Sequence, residues 1–499
     1  MCGEEAARPG QRTVSDEKRA GKALLWKGMQ LGVSKLLYLV GTLILGHLLA
    51  PKEFGLVAIA TVAITTIMTA TETGMTSALV QASVREQAHY DVAWTVGFLR
   101  GLIVCVALLL AAPLVARLFG EERAAPLVRL MAFLPLISSA ASPRMADLIR
   151  ELQFSRLAPV ALIAVIVELG LAIALAGRLG GAAIIVGKLA GAGTATMASY
   201  LLAPHRPRFR PNYGSARHLL AFGRWLFAIG LTAVASDLFI KVLIARRLSV
   251  NDLGMFSMSD KLAEVPSQAA NESIGAVAFP LYARLRSDVP RLQNAVRAHL
   301  TGLMFVLFPA TAIIIALAKP LEVRVLGPSW AGISVLIVLF VLGYLFEFVF
   351  NVVYFLLQAL GAGARLFVVE LIQYIILIAA VILLAGPFGL VGVGAARIIT
   401  GIAVAIAAAI AAPEMYRVTL QRILRPAVIL VAWAMLAGVS SSFCASLVPG
   451  AAGIVAGVVV GGGMFLCLAW VTDGRLRTGV RECLSLFFPI LGSNAQAIS

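Results

Sequence analysis

Ten lysines and arginines fall inside long apolar stretches of this 499-residue chain: Lys27, Lys35, Arg100, Arg129, Arg144, Lys188, Arg224, Lys241, Lys261 and Arg397. An unpaired charge near the middle of a bilayer costs about 2.5–3.5 kcal/mol on insertion scales, so these groups need partners or water. Six of the ten precede residue 204. Gathered round a wet cavity they would hold an anion. A phosphate suits them, arginine giving bidentate contacts and lysine a point charge. Part of the charge can be met locally: Arg144 and Asp147, Asp237 and Lys241, and Lys261 and Glu264 are three or four residues apart and share a helix face. Such pairs fit the fixing of helix rotation as well as contact with substrate.

The remaining charges differ between the halves. The first keeps Lys27, Lys35, Arg100, Arg129 and Lys188 against Glu72 and Glu168; the second keeps Arg224 and Arg397 against Asp260, Glu272, Glu347 and Glu370. Lys35, Arg100 and Lys188 are the leading cavity cations, followed by Lys27, Arg224, Arg397 and Lys261. Lys27 is close enough to its span end to snorkel to the interface. Glu72, Glu168, Asp237, Glu264 and Glu272 are the candidates for counter-ions or for a proton or sodium relay. Gln268, Asn271 and Asn351 could hydrogen-bond sugar hydroxyls, or equally bond between helices.

Other chemistries are poorly represented. The five cysteines, Cys2, Cys105, Cys444, Cys467 and Cys483, form no CxxC and no Cys/His cluster, so neither a metal site nor a disulfide is expected. His47, His89, His205, His218 and His299 lie at or near span ends and read as interface residues. There is no HExxH, GxSxG or Walker A sequence. An enzyme is not expected, nor a cofactor beyond coupling to a proton or sodium gradient.

The elements that must position these groups are membrane helices. With 60% hydrophobic and 13% charged residues and a mean hydropathy of +0.93, the chain has too little polar surface for a soluble globule of its size. Spans of about twenty apolar residues match a bilayer core about 30 Å thick. They are expected near 24–47, 54–76, 90–116, 126–149, 157–177, 182–203, 218–245, 253–281, 298–318, 331–357, 366–385, 388–411, 426–444 and 452–472. The fold class is therefore all-α, polytopic, with about fourteen transmembrane helices. Residues 1–22 carry both signs of charge and no apolar core, so the first span is expected to direct insertion. If the N-terminus is cytoplasmic, the loops on that side hold 23 Lys and Arg against 8 on the other. That bias places both termini in the cytoplasm. It also accounts for most of the +16 net charge without a nucleic-acid partner.

The chain repeats itself. LLAPKEFG (Leu48 to Gly55) matches RLSVNDLG (Arg247 to Gly254) at an offset of 199, and Phe119-Gly120 matches Leu326-Gly327 at 207. Leu175 to Gly180 matches Leu384 to Gly389 at 209, a register that places Lys188 on Arg397. Three landmarks in one order argue for two pseudo-symmetric six-helix lobes plus two C-terminal helices. The expected division is a cytoplasmic N-terminal segment 1–22, a first lobe 23–203, a basic cytoplasmic linker 204–217, a second lobe 218–412, two added helices within 413–472 and a cytoplasmic tail 473–499. Transporters built from parallel repeats place substrate between the halves and rock them.

Four stretches carry a resemblance to a known family: LGHLLAPKEFGLVAIATV (Leu45 to Val62), ETGMTSALVQ (Glu72 to Gln81), FGRWLFAIG (Phe222 to Gly230) and LIARRLSVNDLGMFSMSDKL (Leu243 to Leu262). They resemble the polysaccharide transporter family of the multidrug/oligosaccharidyl-lipid/polysaccharide exporter superfamily. The resemblance implies a V-shaped two-lobe bundle working by alternating access. Its implied task is to flip undecaprenyl-pyrophosphate-linked oligosaccharide across the bacterial cytoplasmic (inner) membrane, for O-antigen of lipopolysaccharide, capsule or exopolysaccharide. Membrane lipids, a polysaccharide polymerase and chain-length proteins are the implied partners. Lys261 stands where similar proteins have a basic residue after an aromatic-serine pair, here Phe256-Ser257; the aspartate that similar proteins carry just before is replaced by Ile240 or displaced to Asp237. Two rivals share the superfamily. A drug/cation antiporter would want carboxylates on the first span, whereas residues 24–47 contain none; a lipid II flippase shares the anionic ligand.

Overall fold

The computed structural model describes residues 9–71, 87–205, 208 and 224–472, the side chains of 9–25, 88, 224–226, 273, 276–277, 413–425 and 472 excepted. Helices dominate, and no strand occurs among the described residues. In chain order they are α1 (Pro9–Leu48), α2 (Pro51–Ala70), α3 (Gln87–Phe119), α4 (Ala124–Met131), α5 (Phe133–Ser139), α6 (Met145–Arg150), α7 (Phe154–Leu179) and α8 (Ala182–Leu202). After the linker come α9 (Arg224–Arg247), α10 (Val250–Leu285), α11 (Val289–Leu321), α12 (Ile333–Ala359), α13 (Gly363–Ala411), α14 (Pro413–Leu447) and α15 (Gly450–Thr472).

Among the described residues, eleven helices are long and apolar enough to cross a membrane. One of these, α13, contains both the eleventh and twelfth expected spans, joined at Gly389. The fourth and eighth expected spans lie outside the eleven. The fourth, expected as one helix over 126–149, is broken into α4, α5 and α6, because Pro135 and Pro143 lack the amide hydrogens that a continuous helix would use. The eighth is α10, a full-length helix that carries Asp252, Asp260, Lys261, Glu264 and Glu272. Its polarity suits a helix turned toward water inside the protein rather than toward lipid.

Local sequence explains the helix starts. Pro51 opens α2 in the first turn, where a missing amide hydrogen has no cost. Ser249 caps α10 by accepting the Asp252 amide at 3.0 Å.

The repeat is visible in the backbone. Gly180, between α7 and α8, has φ 55° and ψ −134°, and Gly389 inside α13 has φ 57° and ψ −139°. This corner is essentially closed to residues with a Cβ, and it recurs at the offset of the longest sequence match. The second landmark behaves alike, since Gly120 and Gly327 both have positive φ, 72° and 86°.

Packing follows the same division. In the first half α7 packs on α8 and α1, and α3 on α4 and α5; in the second α12 packs on α13, α10 and α11, with α9 against α13. The added helices α14 and α15 pack on α11. The seam between halves is carried mainly by α2, the most enclosed of the eleven candidate spans, against α10 and α9. Val57, Ala60 and Ile64 of α2 join an apolar cluster that also holds Met258, Trp330 and Ile337 of the second half, while Leu56, Ile59 and Val62 join one made mainly of second-half residues.

At the end of the bundle that holds the 48–51 turn, the halves clasp each other. His47 Nδ1 is hydrogen-bonded to the Val325 carbonyl at 2.7 Å, and Arg246 donates to the carbonyls of Leu118, at 2.9 Å, and Arg117. His47 and Arg246 are related by the 199 offset, and Val325 and Leu118 by 207. The two contacts are thus symmetry mates with partners exchanged. Trp330 Nε1 adds a bond to the Gly46 carbonyl at 2.7 Å.

Candidate functional site

Charged groups from both halves converge near mid-depth. On α1, Lys35 Nζ donates to Gln268 Oε1 at 2.6 Å and to Glu272 Oε1 at 3.0 Å, both on α10. One turn on, the Tyr38 hydroxyl donates to Glu168 Oε2 on α7 at 2.8 Å, and Glu168 Oε1 lies 3.5 Å from Lys188 Nζ on α8. Across the seam, Lys241 pairs with Asp237 at 2.7 Å on α9. On α10, Asp260 accepts from the Tyr344 hydroxyl at 2.8 Å and faces Arg397 Nη2 at 3.9 Å, while the guanidinium sits 4.5 Å over the Tyr344 ring. At 1.5 Å per residue, Lys261 lies about 18 Å along α10 from its start.

Lys261 is the exception in this network. Its side chain is exposed and has no hydrogen-bond or ion-pair partner among the described residues, although Lys188, Lys241, Glu168 and Asp260 all lie within electrostatic reach. Glu264, expected to pair with it, makes no ion pair with it and lies instead within electrostatic reach of Gln268, Lys35 and Arg397. These overlaps bring the two sets of charges within electrostatic reach of one another, a charged chamber whose second-half side opens on a cavity of about 310 Å³ lined by Ser236, Asp237, Asp260, Glu264, Tyr374 and Arg397, among others.

The remaining expected site residues are distributed as follows. Arg100 lies apart from the chamber: it donates to the Met68 carbonyl at 2.7 Å and Thr71 Oγ1 at 3.2 Å, finishing the end of α2 beside a cavity of about 360 Å³ inside the first half. Lys27 is hydrogen-bonded to Gln30 at 3.4 Å and lies over the Phe154 ring, near the far end of the bundle. Asn271 Nδ2 reaches Ser267 at 3.5 Å while its Oδ1 meets no donor; Asn351 is half-buried on α12. Arg224 belongs to α9, but its side chain is outside the described residues, as is the whole of Glu72 with the second resemblance motif. Arg144 bonds to Gln87 at 2.7 Å and Asp147 accepts from Tyr90 at 2.7 Å.

Two histidines read as interface residues are buried. His299 is 0% exposed and hydrogen-bonded to Tyr282 at 2.7 Å. His205 lies 3.3 Å from Asp91 and ties the start of the linker to α3.

Tyr38 and Tyr344 were missed as site residues because tyrosine counts toward an apolar span. A signal was present: Tyr38 is one helical turn from Lys35, and Tyr344 is three residues before Glu347.

An apolar cleft of about 530 Å³ flanks the chamber, lined by Leu39 and Leu43 of α1, Leu262 and Pro266 of α10, and Val458 and Phe465 of α15, among others. Leu39 follows Tyr38 and Leu262 follows Lys261, so the polar and apolar spaces share two helices.

Comparison with known proteins agrees with this architecture. The "Succinoglycan biosynthesis transport protein ExoT" of Rhizobium meliloti (strain 1021) is 27% identical over 295 residues; the match spans 58% of this chain and only 58% of that protein's length. The "Lipopolysaccharide biosynthesis protein WzxC" of Escherichia coli (strain K12) is 24% identical over 343 residues, 67% of this chain and 68% of that one. Among solved structures, the lipid II flippase MurJ in an inward closed conformation superposes with a TM-score of 0.66 at 13% identity, covering 90% of this chain and 98% of that one. An inward-facing multidrug resistance MATE family transporter gives 0.61 at 16% identity, covering 80% and 99%. Those two likenesses establish the fold. Residues 44–335 match the family described as "Polysaccharide biosynthesis protein", and the chain, a multi-pass membrane protein, belongs to that family.

Proposed function

We propose that this protein is a flippase that carries undecaprenyl-pyrophosphate-linked oligosaccharide from the cytoplasmic to the outer leaflet of the bacterial inner membrane, for O-antigen, capsule or exopolysaccharide assembly. Lys261 carries the reading: its ammonium has no hydrogen-bond or ion-pair partner among the described residues and lies at mid-depth within electrostatic reach of Lys188 and Lys241. The diphosphate binds there first. It then takes Lys188 from Glu168 and Lys35 from Glu272, since a phosphate oxygen offers the same charge-assisted bond as the carboxylate it displaces. Gln268, Asn271 and Asn351 meet glycan hydroxyls, and the prenyl tail stays in lipid by way of the apolar cleft between α1, α10 and α15.

Only the head group needs a polar path, which is why a charged chamber and an apolar cleft share helices. The clasped end of the bundle is the outer one in this reading, and both termini are cytoplasmic. Opening the clasp while the other end closes delivers the head group outward. A polymerase and chain-length proteins would then use the product.

The test is polymer export in cells whose own copy is replaced. Lys261→Glu abolishes export at a wild-type amount of protein in the membrane, and Lys261→Arg retains it. Full export by Lys261→Glu refutes the assignment.

A further inference from the structure

Behind the second-half cavity lies a group of polar side chains that the chamber does not use. Glu370, on the first arm of α13, is 7% exposed and Gln373 is 4% exposed. Gln373 Nε2 donates to Glu347 Oε1 on α12 at 2.8 Å, while the enclosed Gln373 Oε1 meets no donor. Tyr374 stands one helical turn from Glu370 on the same face of α13, within electrostatic reach of its carboxylate. Among the described residues, no lysine, arginine or histidine forms an ion pair with Glu370.

The charged and titratable surroundings are few. Glu347 and Tyr354 face Glu370 from α12 and Tyr374 from its own helix. Arg397 is already engaged by Tyr344, Glu347 and Asp260. On α9, Asp237 and Lys241 pair with each other on the cavity side. The buried Glu370 and the unmet amide oxygen of buried Gln373 thus lie beside a second, half-buried carboxylate, Glu347, with no cation paired to Glu370 among the described residues. Burying charge in this way is unfavourable unless a positive species joins it. A proton on Glu370 removes the like-charge conflict with Glu347 and supplies an O–H donor. A metal cation would add a full charge close to Arg397.

We propose that Glu370 is a proton-binding site, loaded and emptied through Tyr374 from the second-half cavity, and that it couples movement of the lobes to a proton gradient. Tyr374 lines that cavity and stands one helical turn from Glu370 on the same helix face. The transfer is a relay. A proton from cavity water bonds to the Tyr374 oxygen as the original Tyr374 O–H bond breaks, and the released proton bonds to the Glu370 carboxylate. Tyr374 ends neutral, Glu370 ends uncharged, and the water has lost one proton. The coupling half of the proposal rests on the flippase reading; the protonation half does not.

Infrared spectroscopy of the purified full chain at neutral pH tests protonation without any substrate. The C=O stretch of a protonated carboxyl is expected in the wild type, lost in Glu370→Gln and displaced in Glu370→Asp, which keeps the test open if the glutamine variant folds poorly. A band unchanged in both variants overturns the site. For coupling, cellular polymer export is expected to be lost in Glu370→Gln and, in the wild type, to stop when a protonophore collapses the proton gradient. Wild-type export by Glu370→Gln, or export that follows sodium and ignores the protonophore, overturns the coupling. Failure of the flippase reading would show as normal export by Lys261→Glu and would leave the infrared band untouched, so the two failures are distinguishable.

Discussion

Gly55 and Gly254 occupy equivalent places in the two repeats, and each lies against the backbone of the other's helix: Gly55 on the Val250 carbonyl oxygen and Gly254 on the Pro51 carbonyl oxygen. Pro51 and Val250 are themselves related by the same offset of 199, so the seam has a local twofold. A methyl group at either glycine would overlap backbone that has no rotamer to change. Gly55→Ala and Gly254→Ala are each expected to cost about 1–3 kcal/mol, the usual range for overpacking a tight contact. The thermal midpoint of the purified protein reads the loss, and an unchanged midpoint would mean that the halves do not meet this closely.

The exchange of carboxylate for phosphate predicts an asymmetry. Lys35→Ala and Lys188→Ala should both lose polymer export, whereas Glu272→Gln and Glu168→Gln should keep most of it, because the carboxylates only hold the lysines until substrate arrives. A purely structural ion pair would fail equally from either side. Export normalised to membrane protein, measured for all four variants, decides between the two.

Arg100, expected among the cavity cations, lines the first-half cavity and also donates to Met68 and Thr71 at the end of α2. Hydrogen bonds from a charged donor are each worth about 1.5–3 kcal/mol when a partner is lost. Arg100→Ala should lower the amount of folded protein in the membrane and its thermal midpoint. Export per molecule should remain near that of the wild type. A variant that is fully stable yet inactive would return Arg100 to the substrate path.

Burial holds the His205 imidazole below its ordinary value, Asp91 opposes that effect and Arg144 adds to it. A histidine whose folded value is depressed stabilises the fold above its unfolded value, about 6.5, and loses that contribution as the pH falls. Gln87 and the Arg208 amide complete the cluster around Asp91 and His205. Acidification below pH of about 6.5 should therefore loosen the start of the linker. Amide exchange at Ala203 and His205, followed against pH, should quicken more in the wild type than in His205→Gln.

Much of the fold is legible in the sequence because helix length and apolarity are local properties, and because a glycine with positive φ leaves a mark that survives duplication, as Gly180 and Gly389 show. The break of the fourth span was written in Pro135 and Pro143 but concealed by their apolar surroundings. The site was legible only in part. Asp237 and Lys241 are four residues apart and pair as spacing suggests, whereas Lys35 finds Glu272 at a separation of 237 residues. No periodicity reports a partner on another lobe. Lys261 and Glu264 show the converse: correct spacing, and yet no ion pair forms between them.

His47 and Arg246 close the clasped end by gripping main-chain oxygens rather than side chains. Residues 117, 118 and 325 can therefore drift in identity while the doorway still shuts, so long as the peptide path beneath them is preserved. Such a seal reads contour instead of spelling, and substitutions at those three positions would be borne far more easily than any at the two residues that reach across.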